Sequence, residues 1–243
     1  MKAEKIKQNY DKLFQIIEDT FSEEQSVKIK NLFKHFEDRV IETPASAKPN
    51  YHNCFPGGWL DHTLRVIKSS IKMREHFINL GVDVINPISD VVLAAMFHDL
   101  GKLGDLNNSY YQIQTDDWRR NKLNEFYTHN TEMENLSVTD RSLWLLQHFD
   151  IKIPTEVWKA IKMSDGMFDV SNERYFRTSS DSRNVLQYIV HLGDWSATIA
   201  EKQHYIQDSV EGDKPIVSNK IPKTSEEKKQ IENMKSKFDE LFN

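Results

Sequence analysis

Three short segments of the sequence carry residue types that bind metal ions. His62 lies in FPGGWLDHTLRVI, His98 and Asp99 lie in MFHDLGK, and Asp194 lies in VHLGDWSATIAE. Each segment is rich in apolar residues, and a charged group buried in an apolar helix is expensive unless it is paired or bound to metal. Two imidazoles and two carboxylates form a mixed nitrogen and oxygen donor set, which suits Mn²⁺, Fe²⁺, Co²⁺, Ni²⁺ or Zn²⁺. Structural zinc sites differ, because they usually recruit thiolates.

The spacing of apolar residues predicts that helices support these candidate ligands. Helical periodicity covers residues 2–19 and 23–41, and an irregular connector rich in proline and glycine follows at 43–58. A third helix is predicted from Trp59 to Leu80. A fourth begins after Pro87 and carries the His-Asp pair.

The remainder of the chain predicts more helices and one small insertion. Strand-like alternation at Tyr111, Ile113 and Thr115 favours a short hairpin or lid within 104–126. Helical spacing returns near 140–149, after Pro154, and from Asn184 to about Gln207. We therefore expect an all-α helical bundle with a hairpin insertion and flanking terminal helices. The expected divisions are an N-terminal helical segment packed on the core (1–49), a central domain (50–210), and a mobile linker with a C-terminal helix (211–243).

The composition favours a helical, cytoplasmic protein. Glycine and proline together make up about 6% of the chain, roughly half the usual share. The longest apolar runs fall far below the roughly 18 residues that a membrane span needs, and the N-terminus lacks the apolar core of a signal peptide. The single cysteine, Cys54, fits a reducing compartment. The net charge of −5 speaks against a dedicated binder of duplex DNA, which normally has a basic face.

The order His … His-Asp … Asp resembles the HD-domain metal-dependent phosphohydrolase superfamily over residues 50–205. The resemblance is carried by Gly-Gly and HTLRV around the first histidine and by HDLGK around the central pair. The flanking residues are most similar to phage-encoded HD proteins and to HD-domain 3′→5′ exonucleases. This resemblance implies that His62, His98, Asp99 and Asp194 hold one metal ion inside a helical bundle. In that family the ion lowers the pKa of bound water and polarises the phosphoryl oxygen.

Four side chains are candidate substrate contacts. Lys102 follows His98 by four residues, so both project from one side if the helix continues that far. The resemblance implies that this lysine approaches the substrate phosphate, whereas the alternative is a surface lysine in a turn. Arg65 could reach a phosphate or lie along its own helix. The other two belong to an aromatic and basic cluster that could close over a base: Trp118 and Arg119.

A second, weaker Mg²⁺ or Mn²⁺ ion is a further expectation from the resemblance. Binuclear members of the superfamily carry extra histidines before the last aspartate, where this chain has the histidine-free segment Met163-Ser164-Asp165-Gly166. His129 could match one of those positions. Asp165 could be a second ligand, a group that positions water, or the cap of a turn. Asp99, Lys102 and Asp165 are therefore the candidate catalytic residues.

Three functions stay open on the sequence alone. The first is hydrolysis of a phosphate ester or anhydride in a nucleotide or related small molecule, with charge neutralised by Lys102. The second is a 3′→5′ exonuclease that acts on single-stranded ends. The third is a non-catalytic regulatory protein that keeps a metal for stability. The expected partner is a phosphorylated small molecule; nucleic acid is the alternative, no membrane is expected, and a dimer is one option for the oligomeric state.

Overall fold

Helices form most of the described chain. The computed structural model describes residues 1–173, 175 and 185–211. In chain order, its α-helices are α1 (Ala3–Thr20), α2 (Glu23–His35), α3 (Glu37–Glu42), α4 (Gly58–Asn79), α5 (Ile88–Phe97), α6 (Asp117–Lys122), α7 (Val138–His148), α8 (Thr155–Lys162) and α9 (Leu186–Glu211). Short 3₁₀ helices cover Leu100–Leu103, Gly166–Phe168 and Val170–Asn172. The predicted all-α class is confirmed.

The single helix predicted over 23–41 is wrong in one respect, because it divides into α2 and α3 at Phe36. The backbone leaves helical geometry there (φ −101°, ψ 18°). The Phe36 ring is buried and packs against Phe149, with ring centroids 5.9 Å apart. Burying an aromatic ring stabilises the fold by about 2 kcal/mol, which offsets a local break in the helix.

The hydrophobic core includes buried side chains of α2, α4 and α5. His62 lies on α4, and His98 and Asp99 follow the end of α5. Helix α5 is buried from Val91 to Phe97, as its unbroken apolar run predicts. The Phe97 ring stacks on Phe33 at 5.8 Å between centroids, and Phe33 also contacts Trp59. Close packing therefore fixes the start of α4 and the end of α5, where the candidate ligands lie.

A two-stranded antiparallel sheet begins in the predicted insertion and ends just beyond it. Strand β1 (Tyr111–Ile113) pairs with β2 (Tyr127–His129), and Tyr111 lies opposite His129. Helix α6 lies between the two strands in sequence. The first strand falls where alternation predicts it, whereas the second lies just beyond residue 126.

Two compact units divide the chain, Met1–Tyr205 and Ile206–Asn243. The first 49 residues belong to the same unit as the segments that carry the candidate ligands. In the second unit the structure describes only the backbone of residues 206–211, so the predicted C-terminal helix at 224–242 lies outside the described residues. Among the helices that the structure describes, none combines the length and the apolar character needed to cross a bilayer.

Candidate metal centre

His62 is placed by the glycine pair at the start of α4. Gly57 has a φ of +77°, a left-handed conformation that glycine adopts without strain. A Cβ on Gly58 would lie 2.0 Å from the carbonyl oxygen of Asn53, so only glycine lets the connector approach the helix this closely. The helix then begins in the core, and the imidazole of His62, on its first turns, is buried.

His98 and Asp99 follow the last turn of α5. The Nδ1 atom of His98 donates a hydrogen bond to the carbonyl oxygen of Ala95 at 2.8 Å, which turns Nε2 in the other direction. The backbone carbonyl of Asp99 accepts a hydrogen bond from the indole nitrogen of Trp59 at 2.8 Å. Backbone and core contacts therefore fix both residues before any ligand is considered.

The four predicted ligands meet in one cluster, in which His62, His98 and Asp99 are buried and Asp194 is partly exposed. His62 Nε2 lies 3.1 Å from Asp194 Oδ1 and 3.6 Å from Asp99 Oδ2. His98 Nε2 lies 3.4 Å from the same Asp99 oxygen and 3.9 Å from the same Asp194 oxygen. Three separate parts of the chain, α4, the end of α5 and α9, thus converge on one point.

The cluster has the donor set and the geometry to hold a metal ion. The ligand atoms of His62, His98 and Asp99 lie within 4.8 Å of one another. His98 Nε2 is buried and has no hydrogen-bond partner among the described residues. Buried polar atoms almost always find a partner, and a ligated cation at this point would supply the one that is missing here.

Glu201 is a site residue that sequence reasoning did not find. Its carboxylate is buried and lies 3.1 Å from His62 Nδ1, on the side of the ring opposite the cluster. It also accepts a hydrogen bond from Arg65 Nε at 3.1 Å. A carboxylate on the far nitrogen of a ligating histidine fixes the ring and raises its basicity. The signal was present, because Glu201 follows Asp194 by seven residues, two helical turns along α9.

Opposite charges within the cluster shift the pKa values of its members. Burial lowers the pKa of His62, but the carboxylates of Glu201 and Asp194 outweigh it and raise that pKa to about 10. Burial raises the pKa of Asp99, but Lys102 and the two histidines hold it well below its usual range. Without metal, the imidazolium of His62 therefore balances part of the negative charge that a cation would otherwise balance.

Lys102 is held at the edge of the cluster by two contacts. Its ammonium nitrogen lies 2.6 Å from Asp99 Oδ2 and donates a hydrogen bond to the carbonyl oxygen of Ala45 at 3.0 Å. The pKa of Lys102 is lowered by burial but raised more strongly by Asp99, so the amine stays charged. The Lys102 side chain therefore contacts the cluster through Asp99 and is not a free surface residue.

A cavity of about 820 Å³ opens above the cluster. His62, Asp99, Lys102, Asp165 and Asp194 line it. Burial, together with the nearby carboxylates of Asp99 and Asp194, raises the pKa of Asp165 to about 6. This carboxyl group can therefore gain or lose a proton near neutral pH.

The predicted substrate contacts fall in different places. Arg119 lines the cavity, where it pairs with Glu125 at 3.6 Å. Trp118 is not among the lining residues, and 61% of its surface is exposed. Arg65 is also outside the cavity lining, because it is tied to Glu201 and, at 3.2 Å, to Asp61. These contacts make Arg65 a support for the carboxylate behind His62.

Two further histidines line the cavity. The ring of His52, from the connector, lies 4.7 Å from that of His62, and its Nε2 atom is buried without a hydrogen-bond partner in the described chain. The ring of His129, at the end of β2, stacks on Tyr110 with centroids 4.8 Å apart. Neither His129 nor Asp165 belongs to a group of three close ligand atoms in the described residues.

Comparison with protein-family models, with curated proteins and with solved structures finds no match for this chain.

Proposed function

We propose that this protein is a metal-dependent phosphohydrolase of the HD-domain type, which cleaves a phosphate ester or anhydride in a nucleotide or related small molecule. One observation carries the proposal. Two buried imidazoles and the carboxylates of Asp99 and Asp194 face one another beneath a cavity of about 820 Å³. Catalytic metal sites differ from structural ones in keeping a position open for water or substrate, and this cluster faces such an opening.

The four donor side chains define where a metal ion would bind, and other residues of the chain supply the rest of the chemistry. A divalent ion held by His62, His98, Asp99 and Asp194 supplies Lewis acidity, which lowers the pKa of water and polarises a phosphoryl oxygen. Lys102 remains positively charged beside Asp99 and neutralises the negative charge that grows on the phosphoryl group. This charge is fixed in place before the substrate arrives.

Asp165 supplies the proton transfers. Because its pKa is about 6, the carboxylate can accept a proton from the attacking water and return it to the departing oxygen. One oxygen–phosphorus bond forms and one breaks, so the products are phosphate and an alcohol or a shorter phosphate chain. Asp165 ends the cycle in its starting state.

Cations at the cavity wall favour an anionic substrate. Lys48, Arg119 and Lys202 line the cavity and come from the connector, α6 and α9. Within the part of the chain that the structure describes, Lys48 and Lys202 make no ion pair. Free positive charges around a cleft raise the local concentration of anions, which supports a phosphorylated substrate.

The decisive experiment measures metal content and turnover together. Purified protein is analysed for bound metal and then tested with Mn²⁺ against nucleoside mono-, di- and triphosphates, cyclic dinucleotides and a short single-stranded oligonucleotide. Released products are separated by chromatography. We expect one bound metal per chain and cleavage of a small phosphorylated compound. Cleavage of the oligonucleotide alone would instead assign an exonuclease.

Matched variants separate the site from the fold. We expect His98→Ala and Asp99→Ala to lose both metal and turnover, because each removes a ligand. His148→Ala is the control, since this histidine is exposed on α7. Full metal retention in both ligand variants would refute the site. Metal-loaded protein with no turnover on the whole panel would refute the enzyme and favour a regulatory protein.

A further inference from the structure

Phe168 is the most exposed large apolar side chain in the described chain, with 96% of its surface accessible. It ends the 3₁₀ helix Gly166–Phe168, which follows Asp165 directly. Trp195, on α9 next to Asp194, is also 56% exposed. Single exposed apolar residues are common, but an apolar patch beside a polar site is typical of ligand binding.

The segment that presents Phe168 is fastened to the body of the protein. Gly166 has a φ of +56°, and a Cβ there would lie 2.4 Å from the ring of His191. The Gly166 carbonyl accepts a hydrogen bond from the side chain of Asn172 at 3.0 Å, and Asp169 pairs with Lys162 at 3.4 Å. These contacts fix the backbone on both sides of Phe168, and this fixed backbone sets the position from which the ring projects into solvent.

The exposed side chains form a second cleft that adjoins the metal cavity. This cleft has a volume of about 330 Å³ and is lined by Met167, Phe168, His191 and Trp195. Phe168 also lines the metal cavity. The two spaces therefore meet at one aromatic ring, so a ligand whose phosphate lies at the metal cluster can extend past Phe168 into an apolar cleft.

We propose that this second cleft binds the planar base of the phosphorylated substrate, by stacking on Phe168 and Trp195. The assignment rests on the proposed function, since it takes the phosphate to be held at the cluster. It assigns base binding to Phe168 and Trp195, in place of Trp118, which lies outside the cavity lining.

The chemistry of the cleft favours a ring over an aliphatic chain or a sugar. Aromatic rings bind flat heterocycles through stacking, and every nucleobase offers such a face. The thioether of Met167 adds a polarisable contact to ring edges. His191 is fixed by a hydrogen bond from its Nδ1 atom to the carbonyl of Ser164 at 2.8 Å. The apolar cleft adjoins a cavity whose lining includes Lys48, Lys102, Arg119 and Lys202 as well as the carboxylates of the cluster. Such a pair of spaces matches a molecule that has a flat apolar end and an anionic end bound through cations.

Binding of 2-aminopurine riboside 5′-monophosphate to the full chain, with its resident metal, tests the assignment directly. The fluorescence of 2-aminopurine falls when the base stacks, so quenching reports the contact without any need for turnover. Stacking on one aromatic ring changes affinity about 5- to 150-fold. We expect Phe168→Ala to raise Kd by about tenfold or more and to abolish most of the quenching, whereas Phe168→Tyr keeps both.

The control is Val170→Ala, because this residue is an exposed apolar side chain on the same segment but lines neither space. In turnover, the preference for a nucleoside monophosphate over ribose 5-phosphate should fall in Phe168→Ala and stay constant in Val170→Ala. Equal quenching and equal Kd in wild-type protein and Phe168→Ala would overturn the assignment.

The outcomes distinguish this inference from the proposed function. Phe168-dependent quenching without hydrolysis of any phosphate would retain the base cleft and refute the enzyme. Hydrolysis with no preference for a base would retain the enzyme and refute the cleft. A change in oligomeric state of Phe168→Ala by size-exclusion chromatography, with Kd unchanged, would show that a second copy of the chain covers the cleft and would also overturn the assignment.

Discussion

Replacing Asp165 by asparagine should stabilise the metal-free protein at neutral pH and impair the proposed reaction. Burial and the carboxylates of Asp99 and Asp194 raise the pKa of Asp165 from 3.8 to about 6. At neutral pH the folded protein therefore carries an ionised carboxylate in unfavourable surroundings. Asparagine has nearly the same shape and no charge.

The raised pKa sets the size and the sign of the effect. The unfolded chain loses the Asp165 proton near pH 3.8, whereas the folded chain keeps it up to about pH 6. The free energy of unfolding of the wild-type protein therefore falls over this interval and levels off above it. One pKa unit corresponds to about 1.4 kcal/mol, which gives about 3 kcal/mol at full effect. Because water enters the cavity, we expect a gain of about 1–3 kcal/mol for Asp165→Asn.

Urea unfolding in the presence of EDTA measures this gain. We expect the full difference between variant and wild type at about pH 7.5, and about a third of it at about pH 4.5. Asp117→Asn, at an exposed aspartate on α6 that does not line the cavity, is the matched control and should not reproduce the gain. An equal gain at both pH values, or none at pH 7.5, would refute the reasoning. With metal and substrate, Asp165→Asn should lose most turnover, because asparagine cannot transfer the proton. A residue that lowers stability but supports activity is common in functional sites.

Three further variants test other contacts. Glu201→Ala removes the carboxylate behind His62, so metal affinity should fall about 10- to 100-fold in competition with a chelator; unchanged affinity would count against its orienting role. Lys102→Met should keep the metal, measured by elemental analysis, but lower kcat about 100- to 1,000-fold; normal kcat would remove the lysine from the reaction. Gly101→Ala places a Cβ 2.1 Å from the carbonyl oxygen of Val138, so thermal unfolding should show that the free energy of unfolding falls by about 3 kcal/mol. An unchanged Tm would mean that α7 moves away without loss of stability.

The helices and the residues that meet in the cluster could be predicted because both depend on local patterns. The apolar run before His98 dictates a buried helix, and a His-Asp pair at its end is costly there unless it is paired or bound to a cation. Glu201 was equally within reach, since helical periodicity places it two turns after Asp194. It was missed because no motif marks a residue that acts through another.

The walls of the cavity were not predictable in the same way. Trp118 and Phe168 have similar local signals, an aromatic residue in a polar segment, yet only Phe168 lines the cavity. Their positions depend on which tertiary contacts anchor each segment, such as the contact between Gly166 and the His191 ring. Local sequence patterns predict regular helices and strands, but they do not predict the position of an irregular segment in the folded protein.

The order in which the ribosome makes the site has a consequence for metal loading. His62, His98 and Asp99 emerge first, and α9, which carries Asp194 and Glu201, is the last element of the site to be synthesised. Segments of a chain begin to fold in the order of synthesis, so an early site has two histidines and one carboxylate but no partner on His62 Nδ1. If the cluster holds a metal ion as proposed, its complete donor set therefore forms only after α9 has been made, and a nascent chain that ends before this helix lacks both Asp194 and Glu201.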